Sequence, residues 1–383
     1  MRTQVENARY SRGTPSWRPA AGGGLATWGS YRVKSGQSRF AAVSPYALFS
    51  SADVVSARDA VKRIDQLFKA LSDGGTTAIA WHSSACGKAL YHTKVATPFS
   101  GDPHAAGRRI AAMLASVDFL KAAIEAAGKR RLELAVVARP YDDYFPGLAS
   151  AFEAAHQECL WESRDGQMRL RGVLSLSYDE VVAYRLQVIE ELAAYGADEV
   201  IIDLATMAAS MTPIRRRDFF GFNAPIAEEH RRRFGQDIRA FDDVDYRRGP
   251  DLEIVDAVFF GGEFNREGWH EIKGEFFERF LIAASGIVKS AGQRAGFSRG
   301  YQEEILPMAR MRLAADQWLS KGHIDDLFLP SGAGEDRDIN TYISARQRGQ
   351  RVITGAETEG CDGTITWPVE AWGPVSGGGD KPA

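Results

Sequence analysis

The chain predicts an α/β fold, a (β/α)8 TIM barrel with a poorly defined last unit and long loops after strands three and four. Two observations carry that expectation. Short apolar runs alternate strictly with amphipathic helical stripes through about seven units, which means a parallel sheet with helices outside it. No unit reverses the alternation, and Phe49-Ser50-Ser51-Ala52-Asp53 after the first strand is not a GxGxxG phosphate turn. A closed barrel is therefore favoured over an open doubly wound sheet.

The elements follow in order. Residues 1–37 are rich in Gly, Ser, Arg and Pro without periodicity and read as a flexible arm; the barrel domain is expected over 38–370. Arg39–Phe49 reads as the first strand. Ala60, Val61, Ile64, Leu67, Phe68 and Leu71 stripe a helix that stops at Gly74-Gly75, and Thr76–Trp81 is the second strand. Ile110, Met113, Leu114, Val117, Leu120 and Ile124 mark the next helical stripe, ahead of a strand at Leu132–Ala138. Val181, Val182, Leu186, Ile189 and Leu192 lead to Glu199–Leu204. Trp269, Ile272, Phe276, Phe277, Phe280 and Leu281 stripe a longer helix before Arg294–Arg299. Strands at Ile324–Leu329 and Arg351–Gly355 follow. Only Thr364–Trp367 remains for an eighth, before a flexible tail at 371–383. Residues 141–178 and 207–265 interrupt the rhythm, and long loops in barrels usually build the cleft.

Composition excludes several classes. A net charge of −3 over 383 residues favours neither nucleic acid nor an anionic membrane, and the arginine runs 215–217 and 231–233 read as solvated faces. Cys86, Cys159 and Cys361 form neither a disulfide framework nor a zinc motif. His82, His92 and His156 lack the i, i+4 spacing of a helical metal pair, so neither metal nor other cofactor is expected. The apolar runs fall short of the ~20 residues of a membrane span. The first residues lack the apolar core of a signal peptide, so a cytoplasmic location is expected. Oligomeric state leaves no mark in the sequence.

Ends of parallel strands converge on one rim, and several polar or aromatic residues fall there. They are Trp81 and His82, then Arg139, Tyr141, Asp142 and Asp143, then Asp203, then Arg299 and Tyr301, and finally Glu357 and Glu359. Carboxylates, guanidinium groups and flat rings suit a sugar, whose apolar face stacks while its hydroxyls hydrogen-bond. Asp203 with Glu357 is the expected carboxyl pair for glycosidic cleavage, with Glu359 as substitute if the strand runs two residues further. Each has a plainer reading: Asp203 as a turn cap or arginine partner, Glu357 and Glu359 as loop carboxylates, Asp142 and Asp143 as turn formers beside Pro140, Arg139 as a bridge between carboxylates. Trp161, Trp269 and Trp318 read as core.

The segments Ala138–Phe145, Trp161–Gly166, Gly172–Ser177, Tyr195–Leu204, Phe220–Ile226 and Arg231–Ile238 resemble the "family 10-like" glycosyl-hydrolase-like TIM-barrel proteins over roughly residues 40–360. The resemblance implies a TIM barrel acting on polysaccharide or glycan, and adds Asn223 to the substrate-binding candidates. It departs at Thr206, where such proteins commonly carry an arginine three residues after the strand-four aspartate, and in the missing leader and short last unit. The expected function is hydrolysis of an O-glycosidic bond. The alternatives are a non-catalytic, degenerate glycan-binding barrel and a barrel enzyme of other chemistry.

Overall fold

A computed structural model describes residues 37–50, 53–100, 105–145, 148–206, 218–240, 243–248, 254–260, 264–299, 309–329 and 339–366. The expected tail lies outside them, as does the arm apart from Gln37; so do Tyr301 and the arginine run 215–217.

Eight parallel strands close into one barrel: β1 Ser38–Val43, β2 Ala78–His82, β3 Glu133–Ala138, β4 Glu199–Asp203, β5 Arg294–Ser298, β6 Asp326–Leu329, β7 Arg351–Thr354 and β8 Gly363–Thr366. Neighbours in the barrel are neighbours in sequence, and β8 closes the ring on β1 from Ser38 opposite Gly363 to Ala41 opposite Thr366. The short eighth unit is therefore a full barrel strand. The fold is the TIM barrel that the alternation predicts.

Side chains alternate across each strand. Phe40, Ala42, Ala78, Ala80, Ala135, Val137, Ile201, Phe328, Ile353 and Ile365 fill the interior as one buried cluster. The opposite parity (Ile79 and Trp81, Leu134 and Val136, Val200 and Ile202) packs outward against the helices. Helix α1, Ala57–Asp73, begins with a capping box between Ser56 and Asp59, which satisfies two free backbone donors reciprocally, and buries Ala60, Ile64, Phe68 and Leu71. The first strand is shorter than expected: after Val43 the chain turns into a helix at Pro45–Ser50, with Pro45 in its first position, where a missing N–H costs nothing.

The two long insertions carry structure of their own. In 141–178, Leu160–Glu162 pairs antiparallel with Arg169–Leu174. In 207–265, helix α2, Ala224–Phe234, precedes an antiparallel pair, Asp243–Arg248 with Ile254–Phe260. Helix α3, Arg266–Ser290, then returns the chain to β5, and Arg312 packs so closely on it that a Cβ at Gly274 would lie 1.9 Å from the Arg312 carbonyl oxygen. Trp161, Trp269 and Trp318 are buried core residues, as expected. No described helix is long and apolar enough to cross a membrane.

Candidate active site

Strand parity decides which rim residues face inward. His82 continues the inward set Ala78–Ala80, Arg139 continues Ala135–Val137, and Asp203 continues Ile201, opposite Ser298 on β5. The sequence-predicted Asp203 and Arg139 meet here: Arg139 Nε donates to Asp203 Oδ2 at 2.9 Å. Asp203 is fully buried and the Arg139 side chain is 12% exposed. A buried carboxylate costs several kcal/mol unless it is partnered, and Arg139 supplies the partner. Burial alone would lower the Arg139 pKa, but the charges of Asp203 and Asp142 outweigh it and the net shift is upward. His82 is buried; desolvation first, and the Arg139 charge second, hold its pKa well below the usual histidine value, so the ring is neutral at pH 7. A neutral imidazole beside a guanidinium–carboxylate pair can both donate and accept a hydrogen bond.

Asp142 stands in the adjoining loop. The Thr206 hydroxyl donates to Asp142 Oδ1, and both residues are fully buried. Thr206 thus serves Asp142, while the cation beside Asp203, Arg139, comes from the residue after β3. Arg185 donates to the Asp142 carbonyl oxygen at 2.6 Å, and Lys88 to that of Asp143 at 2.9 Å. Gly87, at φ 82°, passes so close that a Cβ there would lie 2.2 Å from the Asp142 carbonyl oxygen. Asp143 accepts from Ser150 and lies 3.3 Å from Arg185, which makes it a pin for the loop, in keeping with its plainer reading.

Other candidates are not brought to this cluster. Trp81 belongs to the outward parity, fully buried with its ring edge-on to Phe68 at 5.9 Å, so the sugar platform expected of it is corrected to a strand–helix packing residue. Tyr141 is buried between Trp161 and Phe277, at 6.0 and 6.1 Å, with its hydroxyl 3.9 Å from Met311 Sδ; burial raises its pKa. Asn223 precedes α2, where its amide donates to the Leu160 carbonyl at 2.7 Å and accepts from Glu162 N at 3.3 Å, stapling the two insertions together. Arg299 sits half-buried just past β5, its backbone N–H donating to Phe328 O at 3.3 Å. Strand β7 ends at Thr354, so Glu357 and Glu359 lie on an exposed turn beyond it, after the Thr354 hydroxyl bonds the Ala356 carbonyl at 2.6 Å. Neither glutamate has a hydrogen-bond partner among the described residues.

Two charged clusters escape a reading of strand ends. At the opposite rim Arg351 bonds Glu133 at 2.7 and 2.8 Å, Asp326 at 2.6 and 2.9 Å and Glu199 at 3.2 Å, while Arg294 Nε bonds Asp326 at 2.8 Å. Burial, then the Asp326 charge, raises the Glu199 pKa well above the usual carboxylate value, against the lowering pull of Arg351. Burial would also raise that of Asp326, but bonds from Arg294 and Arg351 hold it low. A Cβ at Gly296 would meet Glu199 Oε1 at 2.3 Å, so only glycine leaves room for this network. Its sequence signal is a charged residue at the first position of β4, β5, β6 and β7 alike.

The second cluster surrounds Asp218, which holds a left-handed φ of 52° and accepts from His270 Nε2 at 3.2 Å and Arg310 Nε at 2.9 Å. Lys273 is buried nearby with its ammonium 3.4 Å from the centre of the Trp269 ring and no hydrogen-bond partner among the described residues. Burial pushes its pKa down to about 7. It lies in the apolar stripe of α3, four residues from both Trp269 and Phe277.

No family model matches the chain, and no curated protein sequence does, so the "family 10-like" resemblance rests on the quoted motifs alone. Among solved structures it is similar to alpha-L-fucosidase isoenzyme 2 from Paenibacillus thiaminolyticus (12% identity, TM-score 0.47, over 86% of this chain and 45% of that one). It is also similar to the PgaB (BpsB) glycoside hydrolase domain from Bordetella bronchiseptica (13%, TM-score 0.47, 83% of each chain). A third is the catalytic domain of beta-amylase from Paenibacillus polymyxa (14%, TM-score 0.47, 89% of this chain and 96% of that one). The chain thus spans less than half of the fucosidase.

Proposed function

We propose that the protein acts on an O-glycosidic bond of a polysaccharide or glycan at the rim formed by the C-terminal ends of the strands. The observation that carries this reading is the Asp203–Arg139 pair at the inner rim, with neutral His82 on the adjoining strand. Asp203 is the first carboxyl group. The second comes from the turn after β7, Glu357 with Glu359 as substitute, both exposed and without a competing partner among the described residues. Glycosidic cleavage needs the two carboxyl groups about 5–5.5 Å apart for retention or roughly 6.5–9.5 Å for inversion. His82 and Arg139 offer a sugar hydroxyl one donor–acceptor and one fixed donor, and Asp142 and Arg299 extend the polar rim.

A glycan array on the purified chain, followed by product analysis of each ligand found, tests the reading. Hydrolysis that disappears in Asp203→Asn supports it, and undiminished hydrolysis in that variant removes Asp203 from the mechanism. A second reading, a non-catalytic glycan-binding barrel, is favoured by the complete burial of Asp203 against Arg139. It expects binding without products.

A further inference from the structure

His156, Glu158 and Cys159 bring three different metal-ligating donors onto one turn of the insertion after β3. Helix Ala151–Ala155 ends at His156, and Gln157–Cys159 forms a single 3-10 turn. The imidazole stacks on Phe152 at 4.4 Å, and Phe152 on Tyr184 at 4.4 Å, so the ring's direction is set by packing. His156 Nδ1 stands 3.4 Å from Glu158 Oε1, Cys159 Sγ is 4.0 Å from the same oxygen, and all three donor atoms lie within 4.8 Å of one another. Tetrahedral coordination with ordinary zinc bond lengths puts neighbouring donors about 3.3–3.6 Å apart. The His156–Glu158 edge is already of that size, the 57% exposed Glu158 side chain is free to close its edge to Cys159, and the third edge, His156 to Cys159, is within 4.8 Å and closes by a small turn of the partly exposed His156 ring. Cys159 is fully buried while its two companions reach water, which gives an ion one open approach.

We propose that this turn binds one thiophilic divalent transition-metal ion, Zn2+ by donor chemistry, through His156 Nδ1, the Glu158 carboxylate and Cys159 Sγ, with water in the fourth position. A thiolate and an imidazole exclude the hard cations Mg2+ and Ca2+ from this donor set. The thiolate, not the thiol, is the metal ligand, so the thiol proton leaves on binding. Binding breaks the S–H bond, forms the sulfur–metal bond and delivers one proton to solvent, with no change of oxidation state. Affinity therefore rises with pH.

The test is titration of the reduced, chelator-treated full chain with Co2+, following thiolate-to-cobalt charge-transfer absorption and proton release. The expected result is one equivalent bound, one proton released, and displacement by Zn2+. Cys159→Ser abolishes the absorption, while Cys86→Ser and Cys361→Ser leave it intact. His156→Ala, at a partly exposed position that tolerates change, weakens binding by more than the roughly 10–100-fold cost of losing an outer partner of a ligand. This second variant decides the matter if Cys159→Ser does not fold. Absence of the absorption in the wild type overturns the proposal, as does its persistence at full strength in Cys159→Ser or His156→Ala.

Discussion

The two rims of the barrel are both charged and both buried, yet they are built to opposite ends. At the rim where strands begin, Arg294 and Arg351 bond Glu133, Asp326 and Glu199 within one closed network. Breaking such a network leaves a buried charge alone, which destabilises strongly. At the rim where strands end, a single guanidinium serves Asp203, a neutral histidine adjoins it, and the surrounding turns carry exposed carboxylates. TIM barrels place their chemistry at the second rim and their stability at the first. Burial of charge alone does not mark a functional site; what marks it is a polar group left with capacity to bind something else.

The largest expected effect sits at the strand-end rim. Asp203→Asn lowers turnover of any accepted glycan by roughly 10²–10⁴-fold, the range of a lost acid–base group, while circular dichroism shows the barrel still folded. At the opposite rim the loss is one of stability: Arg351→Met costs about 3–5 kcal/mol in denaturant unfolding, because Glu133 and Asp326 lose their shared cation. An unchanged midpoint in that variant erases the distinction between the rims.

Lys273, on α3, sharpens the contrast. Its folded pKa of about 7 lies below the ordinary 10.5, so between those values the unfolded chain holds a proton that the folded chain does not. Stability contributed by this site therefore rises with pH across that window, by several kcal/mol, and is flat below about pH 7, where both states hold the proton. Lys273→Met removes this dependence and stabilises the protein at neutral pH, as measured by unfolding curves across pH; parallel curves for variant and wild type contradict the assignment. The smallest effect is at Thr206: Thr206→Val withdraws the hydroxyl from buried Asp142 at a cost of about 1–3 kcal/mol in thermal unfolding.

The fold was largely legible because each barrel strand is a short apolar run between a helix stop and a polar rim. The first strand was overread through Phe49, since the apolar run continues into the helix that Pro45 begins. Thr364–Trp367 revealed an element one residue out of register, but closure needs the pairing of Ser38 with Gly363, which no local pattern encodes. At the strand-end rim, Asp203 and Arg139 were visible because polarity interrupts an apolar strand at its end. Trp81 was misread for want of parity, although small Ala78 and Ala80 alternating with large Ile79 and Trp81 already hint that the narrow interior takes the alanines. The network at the opposite rim depends on strands from 25 to 218 residues apart converging, and the His156 turn has i, i+2, i+3 spacing that matches no familiar ligand motif.

The central claim, that chemistry belongs to one rim and stability to the other, is tested most directly by measuring glycan hydrolysis and unfolding together in Asp203→Asn and Arg351→Met. The expected result is a stable, inactive first variant and a destabilised second variant with wild-type turnover per folded molecule. Equal loss of turnover per folded molecule in both, or undiminished hydrolysis in Asp203→Asn, contradicts it.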